Sequence, residues 1–179
     1  MATEVQLIPM AELATGQASA IRNGAIAAVL RMAAPLLHLS PEKLLVRDIQ
    51  PYTSNDLDFT YRTWYETTGS TANTYETMTS GTLGDRRFIG IYGIKDDTEE
   101  INVSKVRIKV GNSIKAIWQL EGLYSLSVGG PRIGFSPSVV LIPQNVPYTV
   151  ERFVLNASSP SQIVLKGFVV EPYGRVLSP

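Results

Sequence analysis

Catalysis needs side chains that can hold, give or take charge, and this 179-residue chain offers few of the usual ones. It has a single histidine, His38, and no cysteine. A general base or a metal ligand needs partners, and none is adjacent to His38, which reads as an ordinary structural residue. The run GFSPS ends in serine where a nucleophile elbow needs a glycine. GIYGI and VGGPRIG have the wrong spacing for a phosphate-cradling glycine loop. The acidic turn DDTEE, with Asp96, Asp97, Glu99 and Glu100, lacks the central glycine and closing glutamate of a calcium loop. It reads as a solvated hairpin turn. Asp58 and Glu66 share a strand face, but eight residues of strand hold them about 26 Å apart, too far for paired-carboxylate glycoside hydrolysis. The expectation is a chain without catalytic residues, resident metal or cofactor.

Other side chains are better suited to binding. Tyr61, Trp64, Tyr65 and Tyr75 can stack on sugar rings, or can pair across strands as sheet packing. Lys105, Arg107 and Lys109 form a basic row that, with Arg86 and Arg87, suits phosphate or acidic protein, or a solvated outer face. Trp64, Tyr65, Lys105, Arg107 and Lys109 are therefore the candidate ligand or partner surface. Asn102 and Asn156 open N-x-S glycosylation acceptors, but no secretion signal accompanies them.

These residues need a frame, and residues 147–174 supply its clearest piece. Two runs rich in Val, Ile, Leu and Phe, residues 148–155 and 162–170, flank a Ser-, Asn- and Pro-rich break. They read as two antiparallel strands joined by a loop. Ile163, Val164 and Leu165 are consecutive, as are Phe168, Val169 and Val170, so this strand must be covered on both faces.

Upstream, residues 1–10 form an extended arm, with VQLIP strand-like and ended by Pro9. Residues 18–34 change to helical period. Ile21, Ala25, Val29 and Met32 make one stripe, Ile26, Leu30 and Ala33 a second, and Pro35 ends the pattern. Ser19 or Thr15 is the candidate cap. So wide an apolar face must lie against a large surface, and Ile21, Ala25, Val29, Leu30 and Met32 are the candidate contact between copies.

Strand patterns follow at residues 44–50, 57–66, 86–94 and 101–110. In the last, Ser104, Val106, Ile108 and Val110 point one way, and Lys105, Arg107 and Lys109 the other. Residues 67–85 hold nine Ser or Thr and three Gly. They read as a long exposed loop or as an edge strand near residues 74–78. Ile114, Ile117 and Trp118 suggest a short helical turn or an irregular strand. Residues 133–135 and 138–142 are short strands parted by Ser136 and Pro137, and residues 171–179 are a tail.

One helix followed by about eight short strands, with no crossover helices between them, predicts a mainly β fold. The expected form is an antiparallel, jelly-roll-like sandwich, divided as an arm and helix at 1–43 and a sandwich at 44–179. Sixteen basic residues balance sixteen acidic ones, so no net field draws the chain to nucleic acid or an anionic membrane. The longest apolar window, residues 25–37, is split by Arg31 and Pro35 and is too short for a span. Glu4 and Glu12 stand where a signal peptide would be basic. Only 18% of residues are charged while 44% are hydrophobic, which points to surface covered by partners.

The segments RRFIGIYGIKDDTEEINVSKVRIKVG and VPYTVERFVLNASSPSQIVLKGFVVEPYGRVLSP resemble the strands of small β-sandwich or jelly-roll virion proteins, both capsid decoration (cement) proteins and single jelly-roll coat proteins. The resemblance covers residues 86–179. It implies a non-enzymatic shell component, located in the virion after assembly in the host cytoplasm. Its partners would be copies of itself, as a homo-oligomer, or a major capsid protein lattice. The alternative carried by Trp64 and Tyr65 is a carbohydrate- or receptor-binding sandwich module.

Overall fold

The computed structural model describes residues 4–49, 66–68, 71–98, 101–126, 132–158 and 160–174. The first strands are β1 (Glu4–Gln6) and β2 (Ile8–Pro9), followed by helix α1 (Gln17–Leu37). Next come β3 (Leu44–Asp48), β4 (Glu66–Thr68), β5 (Thr74–Thr82), β6 (Phe88–Asp96), β7 (Val103–Val110) and β8 (Ser113–Gln119). A short α2 (Glu121–Leu126) precedes β9 (Arg132–Ile142), β10 (Pro147–Val154) and β11 (Pro160–Pro172).

Two sheets form. Sheet A runs β1-β8-β7-β10-β5, and sheet B runs β2-β9-β6-β11-β3 with β4 also paired to β11. Every pair is antiparallel except β1 with β8. Set aside the arm strands β1 and β2 and the short β4, and count the other eight in chain order. Sheet B then reads 1-8-3-6 and sheet A reads 2-7-4-5. That order is the double Greek-key winding of a jelly roll.

The two sheets enclose the main core. Strand β7 turns Val106, Ile108 and Val110 inward and its lysines and arginine outward, as its period of two requires. Strand β11 is covered twice. Ile163, Leu165 and Val169 enter the core between the sheets, while Phe168 and Val170 lie on the opposite face beneath α1. Strand β6 is built the same way, with Ile89, Ile91 and Ile94 inward and Phe88 and Tyr92 under the helix. Molecular layers therefore run α1, sheet B, sheet A.

Helix α1 seats Ala25, Val29 and Ala33, one residue per turn, into sheet B. Gly90 makes the notch, since a Cβ there would lie 2.2 Å from Val29 Cγ2. Gly93 allows a second close approach, where a Cβ would stand 2.5 Å from the Gly134 carbonyl oxygen. A close neighbour thus fills the space of the missing side chain at both glycines, a side chain at Gly90 and backbone at Gly93.

Several sequence expectations are corrected. The last two strands do not pair with each other: β10 lies between β5 and β7 in sheet A, and β11 lies in sheet B. The one-sided pattern of β10 suits a solvated face, whereas two-sided β11 must sit under the helix, so the connection crosses between sheets. Residues 133–135 and 138–142 are one strand, β9, with Ser136 and Pro137 in an irregularity between the pairs Ile91–Val140 and Gly93–Phe135. Proline is tolerated where a ladder is broken. Of the two readings of residues 114–118 the irregular strand holds, as β8 with a register shift against β7 and with Ala116 and Trp118 buried, and a helix, α2, follows it. Helix α1 keeps Pro35 inside its last turn and closes at His38, whose φ is +53°. Gly16, with φ +88°, stands at its start instead of Thr15 or Ser19. Of the two readings of residues 67–85 the edge strand holds, as β5 at the edge of sheet A.

By length and composition α1 would also suit a bilayer span, which the shorter window read from sequence did not suggest. In this fold its apolar stripe lies on sheet B. The arm folds back too. Residue Leu7, 1% exposed, crosses from β1 in sheet A to β2 in sheet B and plugs the side between β8 and β9.

Gly90→Ala should cost about 1–3 kcal/mol in urea unfolding, because the added methyl overpacks Val29. Val29→Ala in the same chain should recover part of that loss, and strictly additive costs would place the helix elsewhere.

Candidate functional surface

The outer face of sheet A carries the basic row. Strand alternation places Lys105, Arg107 and Lys109 outward, and register sets Glu151 of β10 opposite Arg107. Arg107 Nε donates to Glu151 Oε2 at 2.5 Å, and Lys109 Nζ donates to Oε1 at 2.9 Å. The Arg107 guanidinium lies 3.7 Å from the centroid of the Tyr75 ring on β5, and Tyr75 meets Phe153 edge-on at 5.1 Å. At the other side Lys105 Nζ donates to Glu4 Oε1 at 3.0 Å, and Gln119 Nε2 donates to Glu4 Oε2 at 2.5 Å. The row is a lattice of alternating sign, joined across β1, β8, β7, β10 and β5.

Its titration follows that geometry. Partial burial pushes Glu151 up, but the hydrogen bonds and charges of Arg107 and Lys109 outweigh it and hold the carboxyl below its usual range. Hydrogen bonds from Lys105 and Gln119 lower Glu4, and Glu4 in turn raises Lys105. The Glu4 pair is exposed and contributes little, whereas Glu151 is part-buried between two cations and holds the row in place.

The opposite side of the sandwich differs. Ala25 and Val29, expected at a contact between copies, are 5% and 0% exposed within the chain's own fold. Ile21, Leu30 and Met32 are partly buried against the same clusters. The wide apolar stripe has found its large surface in sheet B, because β6 and β11 need a cover on their second face. Trp64 and Tyr65 lie outside the described residues, as do Asp58 and Tyr61.

Several polar groups of interest were not singled out from sequence. Glu171, 1% exposed, is gripped by Arg47 Nε at 3.1 Å and by Arg87 Nη2 at 3.2 Å. Arg152 faces inward from β10, hydrogen-bonds to Ser161 and approaches Glu76 Oε2 at 3.6 Å. Burial pulls its guanidinium pKa down, and Glu76 opposes that. The Tyr124 hydroxyl stands 2.8 Å from Asp96 Oδ2 and 2.5 Å from the Val103 carbonyl. Burial first, then the Asp96 charge, pushes this phenol well above its ordinary range. Tyr92, Phe135 and Phe168 form a stack across β9, β6 and β11, with centroids 6.0 and 5.1 Å apart. Each is a polar or aromatic residue in an apolar run, and no spacing within the sequence marks its partner. Glu151 had a usable signal, an outward position in TVERFV, but its register against Arg107 was missing.

No family model matches the chain, and no curated protein matches it. Among solved structures, dimeric latent PorU from Porphyromonas gingivalis is similar over 73% of this chain at 11% identity and a TM-score of 0.33. This chain spans 12% of that one. The correspondence is too loose to bear on fold or chemistry.

Two pH limbs are expected. Because Glu151 is depressed in the folded state, its stabilisation is present above the ordinary carboxylate range and is lost as pH falls through the folded value. Glu151→Gln should flatten that acid limb and cost about 1–2 kcal/mol in chemical denaturation at neutral pH. Tyr92 and Tyr124 are raised, so their contribution is present below the ordinary tyrosine value of about 10 and falls away above it. Tyr124→Phe should make thermal stability less sensitive to pH on that alkaline side.

Proposed function

We propose that this chain is a non-enzymatic structural subunit of a viral shell, as coat or decoration, that works through repeated contacts with copies of itself or with a capsid lattice. The working surface is the outer face of sheet A. One observation carries this reading: α1 covers sheet B, while the outer side chains of sheet A carry an ordered lattice of both signs. A face on which positive and negative groups alternate can meet a rotated copy of itself with opposite charges facing. The jelly-roll winding supports the reading by analogy, since viral capsid and lectin domains both use it. The helix stripe, expected at a contact between copies, is not the contact in this reading.

A sugar-binding role draws less support. Trp64 and Tyr65 lie outside the described residues, and the guanidinium of Arg107 occupies the face of Tyr75 that a sugar ring would need.

Sedimentation and native mass measurement of the full chain over rising concentration test the proposal. The expected result is a closed oligomer or particle, and Lys109→Glu should shift it toward smaller species without lowering the unfolding midpoint by more than a few degrees. A chain that stays monomeric at the highest concentration, alone and with a shell lattice, overturns it.

A further inference from the structure

Beside α1, on the side away from β9, sheet B carries a cleft of about 390 Å³. Arg22 enters it from the helix, Lys95 from β6 and Lys166 from β11, with Asp48, Asp97 and Tyr92 also on its walls. Its size lies within the range of small-molecule sites. Three cations converge there against two carboxylates. Arg22 Nη2 pairs with Asp48 at 3.3 Å, and Lys95 Nζ pairs with Asp97 at 2.8 Å. Among the described residues Lys166 makes no ion pair, so the described groups of the cleft carry one positive charge in excess.

The backbone is shaped for this arrangement. Tyr92 is an extra residue in β6 against β11, where Ile91 pairs with Gly167 and Gly93 with Lys166, and the surplus opposite it on the other side lies in β9 between Phe135 and Val140. A bulge of this kind re-aims a side chain, and such bulges gather beside functional sites. Here it sets the Tyr92 ring at the cleft wall, in the stack between Phe135 and Phe168. The Arg22 guanidinium lies 4.8 Å from the centroid of the Phe168 ring. Arg22 is thus positioned by the Phe168 ring as well as by Asp48. Burial keeps the phenol protonated at neutral pH, so it adds no negative charge to the cleft.

We propose that this cleft binds a small oxyanion, the phosphate or carboxylate group of a metabolite-sized ligand, with Lys166, Lys95 and Arg22 as its cationic contacts. Asp48 is 67% and Asp97 37% exposed, and ion pairs at that exposure are weakly held. An anion can therefore share Arg22 and Lys95 while Lys166 supplies the excess charge. The site lies on the face opposite sheet A and does not depend on the assembly proposed above.

The test is a titration of the full chain, followed by amide chemical shifts, with inorganic phosphate in one arm and citrate in the other. Sodium chloride at matched ionic strength is the control. Saturating shifts at Lys95, Lys166 and Gly167 in either arm, weakened about tenfold or more by Lys166→Gln, support the site, and the stronger arm identifies the group. Arg22→Gln should weaken binding as well, while Lys109→Gln on the other face should leave it unchanged. Shifts that fail to saturate in both arms, or saturation that Lys166→Gln leaves intact, overturn the proposal.

Discussion

The fit of Val29 into the notch at Gly90 is the contact on which the rest of the structure depends. Strands β6 and β11 are apolar on both faces, and a sheet in water cannot leave one of those faces bare. Sheet A covers the first face and α1 must cover the second. Close approach of helix to sheet demands a missing side chain, which Gly90 provides. With the helix fixed there, its remaining apolar residues are drawn into the same layer, and an apolar stripe that resembles an interface becomes part of one molecule's core.

The bulge at Tyr92 is the second constraint. It shifts the alternation of β6 so that Ile94 and Asp96 return to the interior after the pair Tyr92 and Gly93. Asp96 then meets the Tyr124 hydroxyl and the Thr98 amide. These bonds satisfy a buried carboxylate that would otherwise be costly. The same irregularity opens the cleft where Arg22, Lys95 and Lys166 converge. One extra residue thus shapes both a buried polar junction and a surface site.

The two outer faces of the molecule consequently have different chemistry. The sheet B side combines a helix of small residues with a polar cleft. The sheet A side carries charges of both signs, held by Glu4 and Glu151. A pre-ordered surface with charges of both signs suits repeated contact with large partners, whereas a cleft whose described groups carry an excess positive charge suits one small ligand. Burial of Arg152 and Glu171 stiffens the frame, since each holds its neighbours through charge-assisted hydrogen bonds.

Much of the architecture was legible in the chain itself. The period of two in β7 set which side chains face the core, and the double apolar runs of β11 required a cover on each side. The two stripes, Ile21, Ala25, Val29 and Met32 beside Ile26, Leu30 and Ala33, required a helix with a broad surface to lie on. These are local rules, because strand and helix periods act on neighbouring residues. The partners were decided only by the tertiary structure: that α1 lies on its own sheet, that β10 and β11 part company, that Glu151 stands opposite Arg107, and that Lys166 joins Arg22 and Lys95. Each depends on register and winding between distant segments. An apolar stripe or a charged row carries no information about which of several complementary surfaces it will meet.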